Sequence, residues 1–282
     1  MLSVALLVFG CGLAFGANAG DKCNGQAACA PNGNVLLCNW GKYQAIPCPA
    51  GLACKVSGGS AVCDWATGGN SGGGGIDLTY DEFVKAIKEG GRAVGNNYQT
   101  PSKAQFEAFS KQTKTSCGIT SRQELAMFLA EIMWESTGLK DKKELYCQNN
   151  MQACKNAYKQ PANYPQNVVY YGRGYIQLTW HYNYEAASKD LYGDDRLLKN
   201  PEQVAEDEDV AWATTCWYWN KRVRVNAKVL QGYFGAATNA INGALECRGA
   251  HQNKARKRFQ IYKAVFKVFN VPGTPKESGC YN

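Results

Sequence analysis

The chain is poor in the side chains that most often bind metals, since its 282 residues include two histidines and no Cys-x-x-Cys pair. Structural and catalytic zinc sites draw on histidine and on closely spaced cysteines. We therefore expect neither a metal centre nor a cofactor. Beyond the first twenty residues the sequence also lacks an apolar run long enough to cross a bilayer, and it has no Asn-x-Ser/Thr acceptor for N-glycosylation.

Acidic residues are fewer than basic ones, and the net charge of +8 falls mainly in the second half of the chain. Such an excess can attract nucleic acid, an anionic membrane or an acidic cell wall, although it more often marks a solvated helix face. The basic run near the C-terminus is followed by aromatic residues at helical spacing, which indicate a packing face: Phe259, Tyr262, Phe266 and Phe269. With no nucleic-acid-binding motif, we expect a monomer with neither a nucleic-acid nor a membrane partner.

Cysteine content and a glycine-rich stretch divide the chain into domains. Residues 1–19 are uncharged and apolar and end in small residues, which indicates a cleaved secretory signal. An uncleaved anchor is the alternative, but four glycines interrupt the first twenty residues. One of the 13 cysteines lies in this signal, and the other twelve fall equally on the two sides of a linker at residues 66–75. Even counts predict disulfides and a secreted, extracellular protein, with a cysteine-rich module at residues 20–65 and a larger domain at residues 76–282.

The N-terminal module carries aromatic residues that suit a carbohydrate surface. Trp40, Tyr43 and Trp65 could stack on sugar rings, or they could fill a small core that needs disulfides to stay folded. The run CPAGLAC and the cysteine spacing around it resemble the chitin-binding modules of carbohydrate-binding module family 19. The resemblance implies that the module holds the protein on chitin or chitooligosaccharides.

The larger domain is organised around one helix followed by a charged loop, SRQELAMFLAEIMWESTGLKDKKE, at residues 121–144. Ser121 as N-cap with Glu124 three residues later predicts a capping box, and apolar residues recur at helical spacing from Leu125. Gly138 supplies a stop signal. At about 100° per residue, Glu135 falls at the rim of the apolar stripe. Partial burial there favours the neutral form of a carboxyl group, which a general acid requires.

A second carboxylate, Glu144, follows nine residues later and has Lys140, Lys142 and Lys143 as neighbours, whose charges favour its ionised form. Two carboxyl groups of unequal acidity are what a glycoside hydrolase uses, one to protonate the leaving oxygen and the other to activate water. Taken alone, such residues are more often solvated surface groups. The pair becomes a catalytic hypothesis only with support from other motifs.

The rest of the larger domain has mainly helical patterns, at residues 80–89, 102–114, 180–192, 201–219 and 252–269. Asn200 is the expected N-cap of the fourth, with Pro201 as its first residue. The run YYGRGYIQLTWHYNY at residues 170–184 combines glycines, which allow close backbone approach, with aromatic and amide side chains that suit a neutral sugar polymer. A tyrosine-rich buried loop is the alternative.

Four segments in this order, ESTGLKDKKELYC, YYGRGYIQLTWHYNY, NPEQVAEDEDVAWATTCWYWN and AINGALEC, together resemble the catalytic domain of glycoside hydrolase family 19 chitinases. The likeness extends from near Ile76 to Cys280. It implies a mainly α, bilobal, lysozyme-like fold. It also implies an endochitinase that cleaves β-1,4-linked N-acetylglucosamine polymers with inversion.

The resemblance assigns roles to individual residues. It makes Glu135 the general acid and Glu144 the general base, and Thr179, which stands where the family usually has Ser, would help to hold the attacking water. Glu246 and Arg258 match a charged pair near the acid, although the basic run around Arg258 by itself predicts a surface position. The full set implied to bind substrate or to support the site is Tyr170, Gln177, Asn183, Asn242, Glu246 and Arg258.

Two positions depart from the family pattern, because Trp134 replaces the usual His before the acid and Tyr175 replaces the usual Pro after Gly-Arg-Gly. A tryptophan ring nitrogen donates a hydrogen bond but cannot accept one. One alternative function is therefore a chitin-binding lectin that no longer cleaves. A hydrolase of the same chemistry acting on peptidoglycan is another.

Three disulfides are expected in the larger domain. Cys147 and Cys154 flank the segment after Glu144 and are expected to pair. The resemblance implies a bridge between Cys247 and Cys280, and a bridge between Cys117 and Cys216 then follows by elimination.

Overall fold

The structure of the protein is a computed structural model that describes residues 17–30, 33–47, 52–57, 60–65 and 76–282. The chain divides into two compact units, Met1–Ser71 and Gly72–Asn282. Most of the expected signal, the expected linker and Cys48 lie outside the described residues, as do the side chains of Cys63 and Trp65. Among the helices that the structure describes, none combines the length and the apolar character that a membrane span requires.

The N-terminal unit is a small β structure held by disulfides. Strands β1 (Ala28–Cys29), β2 (Val35–Asn39) and β3 (Lys42–Ile46) form an antiparallel sheet, and β4 (Leu52–Ser57) pairs antiparallel with β5 (Ser60–Trp65). Disulfides join Cys23 to Cys38 and Cys29 to Cys54. Such bridges stabilise a segment whose core is too small to hold it alone.

The aromatic residues expected to stack on sugars have different environments. Tyr43 is buried and packs with Leu36 in the core of the sheet, so the expectation that it stacks on sugars is corrected. Trp40 is 97% exposed and has a positive φ of 51° at the turn between β2 and β3. A large aromatic ring so fully in water is available to a ligand.

The C-terminal unit is mainly α-helical. Its helices are α1 (Tyr80–Ala93), α2 (Lys103–Thr115), α3 (Arg122–Glu135), α4 (Leu145–Asn149), α5 (Met151–Ala157), α6 (His181–Tyr192), α7 (Arg196–Lys199), α8 (Gln203–Glu206), α9 (Glu208–Tyr218), α10 (Ala227–Leu230), α11 (Phe234–Glu246) and α12 (Gln252–Val268). A π-helical turn, Trp219–Val223, directly follows α9. All three disulfides expected in this unit are present, between Cys117 and Cys216, Cys147 and Cys154, and Cys247 and Cys280.

Side-chain caps explain where several helices begin. Ser102 caps α2 through a complete capping box with the third residue of the helix. Ser121 caps α3 by accepting a hydrogen bond from the Glu124 N–H at 3.1 Å, but the capping box expected there is not completed. The Glu124 carboxylate instead accepts from Trp219 Nε1 at 3.0 Å and pairs with Arg224 at 2.9 Å. Partners from distant parts of the chain therefore replace the local backbone partner that would complete the capping box.

Helix α3 lies at the centre of the core. Ten consecutive residues, from Glu124 to Met133, are buried, where the sequence predicts only an apolar stripe. The helix contacts α1, α11 and α12, so it is covered on several sides, as expected for a helix that is buried all round. Each fully buried large apolar side chain contributes roughly 1.5–3 kcal/mol. The C-terminal end of α3 is consequently held firmly in place.

The single helix expected at residues 201–219 is two helices, α8 and α9. Asp207 leaves the helical region with ψ of 122°, and its carboxylate accepts a hydrogen bond from the Val210 N–H at 3.1 Å. Asp207, and not Asn200, is therefore the N-cap of α9. An aspartate that satisfies a free N–H of the first turn stabilises a helix start at this point, and it interrupts the longer apolar pattern.

Helix α11 has no counterpart among the helices expected from the sequence. Its glycines disfavour an isolated helix, and Asn242 leaves the helical region inside it with φ of −142°. The tertiary structure requires one of these glycines, because a Cβ on Gly235 would lie 2.2 Å from the Glu277 carbonyl oxygen. The C-terminal segment crosses α11 at this point, so close backbone packing explains a residue that weakens the local helix signal.

Candidate active site

Glu135 is the last residue of α3 and lies between the core and solvent, with 19% of its side chain exposed. Its carboxylate accepts a hydrogen bond from Nη2 of Arg258 on α12. Arg258 is only 1% exposed, so the surface position predicted from its basic run is wrong. Burial lowers the pKa of Arg258, but the nearby carboxylates outweigh burial and raise this pKa overall. Arg258 therefore stays charged beside Glu135.

A second carboxylate, Glu246, holds the guanidinium of Arg258 from α11. It accepts from Nε and Nη2 of Arg258, both at 2.8 Å, in a bidentate arrangement. It also accepts from Nδ2 of Asn242 at 2.8 Å. Burial raises the pKa of Glu246, but the hydrogen bonds and charge of Arg258 outweigh burial and leave this pKa lowered. Because Glu246 and Arg258 are both buried, neither can bind substrate directly, and that part of the expectation is corrected.

A third carboxylate, Glu131, also contacts Arg258 and is not among the residues expected from the sequence. It is fully buried and accepts from Arg258 Nη1 at 2.8 Å and from the Thr238 hydroxyl at 2.6 Å. Burial raises the pKa of Glu131 to about 7, even though the charge of Arg258 lowers it. Glu131 precedes Glu135 by four residues, a spacing that places both on one helix face. This spacing is the signal from which the sequence could have identified Glu131 as a site residue.

Glu144 is positioned by a short antiparallel pairing of two loops. Its N–H donates to the Gly172 carbonyl at 2.9 Å, and the Gly174 N–H donates to the Lys142 carbonyl at 2.9 Å. The Gly172 N–H also donates to the Glu144 carboxylate at 3.2 Å, and the Tyr158 hydroxyl lies 2.8 and 2.9 Å from its two oxygens. Burial and the interaction with Glu144 raise the pKa of Tyr158, so this hydroxyl keeps the proton that it donates.

The lysines that neighbour Glu144 in the sequence are not its partners. Lys142 and Lys143 pair instead with acidic residues around α8 and α9: Lys142 with Glu208, and Lys143 with Glu202 and Glu206. The expectation that these two lysines pair with Glu144 is therefore wrong. The described partners of its carboxylate are uncharged donors, whereas Glu135 contacts a cation.

The loop after Gly172 brings Thr179 and Gln177 beside the backbone that supports Glu144. Thr179 Oγ1 donates to the Gln177 carbonyl at 2.7 Å, and Gln177 Nε2 donates to the Gly174 carbonyl at 2.9 Å. Both side chains lie against Gly172, where an added Cβ would be 2.9 Å from Gln177 Oε1 and 3.4 Å from Thr179 Oγ1. Because Gly172 also donates to Glu144, the Thr179 hydroxyl and the Glu144 carboxylate occupy neighbouring positions.

Trp180 covers the same area; the sequence places it in the aromatic run at residues 170–184 but assigns it no role of its own. Its φ of 74° is unusual for a residue other than glycine, so the surrounding structure must hold it in place. Its ring meets that of Tyr158 edge to face, with centroids 5.2 Å apart. No local pattern connects Tyr158 with Glu144, from which it is 14 residues distant, and only the folded loop shows that they interact.

The remaining residues expected to bind substrate differ in their contacts and exposure. Tyr170 is buried, and its hydroxyl donates to a backbone carbonyl of α7 at 2.9 Å, so it supports the loop and cannot contact substrate. Asn183 donates to the Thr179 carbonyl at 2.8 Å, which is also a supporting contact. Gln177, Asn183 and Asn242 are partly exposed and could still reach a ligand.

The two departures from the family pattern both have partners. The ring of Trp134 lies 5.9 Å from the guanidinium carbon of Arg258, which is within the range of a cation–π contact. Tyr175 is buried, and its hydroxyl donates to Glu208 at 2.6 Å and accepts from Gln105 Nε2 at 2.9 Å. Trp134 therefore contacts the cation that pairs with Glu135.

The arrangement offers two carboxyl groups that can exchange protons with a bound molecule, since Glu135 and Glu144 are both partly exposed. Within the described ranges, no group of three or more His, Cys, Asp or Glu side chains could hold a metal ion.

Comparison with known proteins identifies the family of the chain. Residues 96–229 match the family model described as Chitinase class I, and residues 12–59 match the Carbohydrate binding domain (family 19). Endochitinase EP3 of Arabidopsis thaliana is 35% identical over 204 residues, which span 70% of this chain and 71% of that protein. Chitinase 4 of Oryza sativa subsp. japonica is 28% identical over 291 residues, 97% of each chain. The crystal structure of chitinase C from Streptomyces griseus HUT6037 has a TM-score of 0.55 and 31% identity, covering 75% of this chain and 99% of that one.

These similarities define a glycoside hydrolase with a carbohydrate-binding domain. The chain belongs to glycoside hydrolase family 19, the family of the class I chitinases. Both resemblances inferred from the sequence are thereby confirmed. The mainly α-helical fold with a small disulfide-rich N-terminal region is confirmed as well.

Proposed function

We propose that the protein is an endochitinase that hydrolyses β-1,4-linked N-acetylglucosamine polymers, with Glu135 as the general acid and Glu144 as the general base. One observation carries the proposal. Two carboxyl groups are partly exposed, and the partners that hold one of them are charged whereas those that hold the other are neutral. Arg258 contacts Glu135, and the neutral donors Tyr158 and Gly172 contact Glu144. Membership of a chitinase family supplies the substrate class.

In the proposed reaction, Glu135 donates its proton to the glycosidic oxygen as the bond from that oxygen to the sugar carbon breaks. Glu144 removes a proton from a water molecule that attacks the same carbon from the opposite face, so the configuration inverts. Carboxyl groups roughly 6.5–9.5 Å apart leave room for this water. The Thr179 hydroxyl, which lies beside the backbone support of Glu144, would help to orient the water.

We further infer that the N-terminal module keeps the enzyme on insoluble chitin, as its match to a carbohydrate-binding family suggests. The full exposure of Trp40 supports a stacking role for this ring. The uncharged, apolar first residues support secretion, and we infer that the enzyme acts as a monomer.

The test is cleavage of a chitin hexamer by the wild type, Glu135→Gln and Glu144→Gln, with adsorption to insoluble chitin measured in parallel. Both substitutions keep the shape of the side chain and remove its acid or base function. We expect each to lower kcat by at least about 100-fold, which is typical of loss of a general acid or base, while adsorption persists. Glu107→Gln, which changes an exposed carboxylate on α2, is the matched control.

The same assay, run also with peptidoglycan as substrate, separates the rival functions. Adsorption without cleavage by the wild type would indicate a chitin-binding lectin. Cleavage of peptidoglycan but not of the hexamer would indicate a wall hydrolase of the same chemistry. The anomer released first, read by NMR before mutarotation, tests inversion separately, because a retained configuration would require a different role for Glu144.

A further inference from the structure

Helix α12 concentrates positive charge that no carboxylate of the same helix balances. Its 17 residues include neither Asp nor Glu. Five of its basic side chains are exposed: Lys254, Arg256, Lys257, Lys263 and Lys267. Because the net charge of the whole chain is +8, this one helix accounts for more than half of the excess.

Acidic side chains from neighbouring elements do not neutralise these cations in the described part of the chain. The ion pairs of α12 are those of Arg258, which is buried. On α1, which packs against α12, Glu82 pairs with Arg122 and Glu89 pairs with Arg92. The exposed cations of α12 are therefore available to an external anion.

Three of these cations form a stripe that we call the basic face of α12: Arg256, Lys263 and Lys267. At about 100° per residue they fall within about 40° of one another, and at about 1.5 Å per residue they extend over about 16 Å. Arg258 lies about 160° from Arg256 around the helix. The basic face is consequently on the opposite side of α12 from the contact with Glu135.

The fold gains little from this stripe. Lys263 and Lys267 are four residues apart, a spacing at which like charges repel each other and destabilise a helix. The helix dipole favours cations only in the last turn, so it accounts for Lys267 but not for Lys263 or Arg256. A bound anion would relieve the repulsion.

A cavity of about 500 Å³ lies beside the two lysines, at the C-terminal end of the basic face. Small-molecule sites usually have volumes of roughly 300–1,000 Å³. Phe266 and Val271 contribute apolar side chains to the lining, and Asn270 contributes an exposed amide. The cavity therefore combines apolar surface, a hydrogen-bonding amide and two cations.

We propose that the basic face of α12 binds an acidic polysaccharide, with the carboxylate of one sugar between Lys263 and Lys267 and the ring of that sugar in the cavity. The C–H face of a pyranose suits the apolar lining, and its hydroxyl groups suit the Asn270 amide. A carboxylate forms charge-assisted hydrogen bonds with ammonium groups. This binding does not depend on the endochitinase activity, because Glu135 and Glu144 have other partners.

The surroundings of the stripe favour a saccharide over other polyanions. Helices that bind a membrane surface bury large apolar side chains in the bilayer, and proteins that bind single-stranded nucleic acid present aromatic rings to the bases. None of the exposed large hydrophobic side chains in the described ranges lies on α12. A duplex needs cations for its phosphates but no apolar cavity beside them.

The test is the affinity for polygalacturonate, titrated at several salt concentrations, with the methyl ester of the same polymer as its uncharged form. The wild type should bind the ester at least about tenfold more weakly than the acid, because two charge-assisted contacts are lost. Its affinity for the acid should fall as salt rises, because salt screens exposed charges.

The Lys263→Gln, Lys267→Gln double variant should also bind polygalacturonate at least about tenfold more weakly than the wild type. Lys111→Gln, Lys189→Gln is the matched control, since it removes the same charge from two exposed lysines on other helices. We expect the affinity of this control to stay within about twofold of the wild type, because net charge alone acts weakly through screened solvent.

A second pair of variants tests the cavity. Asn270 has a positive φ of 49°, which Asp tolerates as Asn does. Asn270→Asp places a carboxylate at the cavity with little change of shape, and its repulsion of the ligand should weaken binding at least about fivefold. Asn253→Asp makes the same change at the exposed N-terminal end of α12 and should leave the affinity within about twofold of the wild type.

Equal losses in the two double variants, or equal losses in the two Asn variants, would overturn the proposal. So would absence of binding by the wild type, binding of the ester as tight as that of the acid, or binding to duplex DNA or phosphatidylserine vesicles as tight as that to polygalacturonate. Hydrolysis of the chitin hexamer by Lys263→Gln, Lys267→Gln should equal that of the wild type. Failure of the endochitinase proposal would be recognised separately, because Glu135→Gln would then retain cleavage whatever its affinity for polygalacturonate.

Discussion

Tyr158 offers the most direct test of how Glu144 is held. Its hydroxyl lies 2.8 and 2.9 Å from the two carboxylate oxygens, and its ring packs edge to face on Trp180. Tyr158→Phe removes the hydroxyl and keeps the ring. Because its raised pKa keeps the phenol protonated, wild-type Tyr158 donates throughout the working pH range and the substitution removes a permanent donor.

The size of the effect follows from the exposure of Glu144. A hydrogen bond to a charged group contributes about 1.5–3 kcal/mol when nothing replaces it. Glu144 is partly exposed, so water would restore part of the interaction. A loss of about 1–2 kcal/mol of transition-state stabilisation remains, which corresponds to a roughly 5- to 30-fold lower kcat. KM should change little, because Tyr158 orients the base and not the sugar.

Hydrolysis of the chitin hexamer, followed by product release over a range of substrate concentrations, measures both constants. Tyr164→Phe is a close control, since the Tyr164 hydroxyl donates to the carboxylate of Glu185 at 2.5 Å in another tyrosine–glutamate pair. We expect it to leave kcat unchanged. A kcat for Tyr158→Phe within about twofold of the wild type, under 0.5 kcal/mol, would refute the reasoning that Tyr158 positions Glu144.

Two further predictions concern binding and stability. Trp40→Ala should weaken adsorption to insoluble chitin about tenfold, because an aromatic contact contributes about 0.5–1.5 kcal/mol beyond the buried area. Depletion assays with Lys42→Ala as control would measure this loss. If Trp40→Ala adsorbed as well as the wild type, Trp40 would be excluded from the binding face. Replacing Cys117 and Cys216 together by Ser should lower the unfolding free energy by roughly 2–5 kcal/mol, since the bridge spans 99 residues. Denaturant titration should show a smaller loss of unfolding free energy for the Cys147→Ser, Cys154→Ser double variant, because its bridge spans only 7 residues and a shorter loop restricts the unfolded chain less. Equal losses in the two double variants would contradict this argument.

Much of the site could be predicted because its signals are local. The cap at Ser121, the helix that ends at Glu135 and the nine-residue step to Glu144 are all contained in one short segment. The glycines of the loop after Tyr170 mark a close backbone approach, and the structure places Gly172 against Glu144. Signals of this kind survive in a sequence because contiguous residues determine them.

Other parts of the site could not be predicted because their partners are distant in the chain. Arg258 contacts Glu135 across 123 residues. Only the family resemblance implied a position near the acid, because the basic neighbours of Arg258 indicate a surface position that the packing of α12 on α3 reverses. The lysines near Glu144 suggest a charged environment, yet Lys142 and Lys143 pair elsewhere. The sequence does not predict helix α11, because Gly235 weakens the local helix pattern. Gly235 is required there because the backbone of the C-terminal segment passes too close for a Cβ atom.

The sequence by itself determined the two-part organisation, the helical class of the larger domain, the family and the two candidate catalytic carboxylates. These properties depend on composition, periodicity and short motifs, all of which are local. Only the tertiary structure decided which groups contact those carboxylates: the guanidinium of Arg258, shared with Glu131, beside Glu135, and the neutral hydroxyl of Tyr158 beside Glu144. The physical reason is that charges interact through space at a few ångströms, and packing, not chain order, brings such groups together.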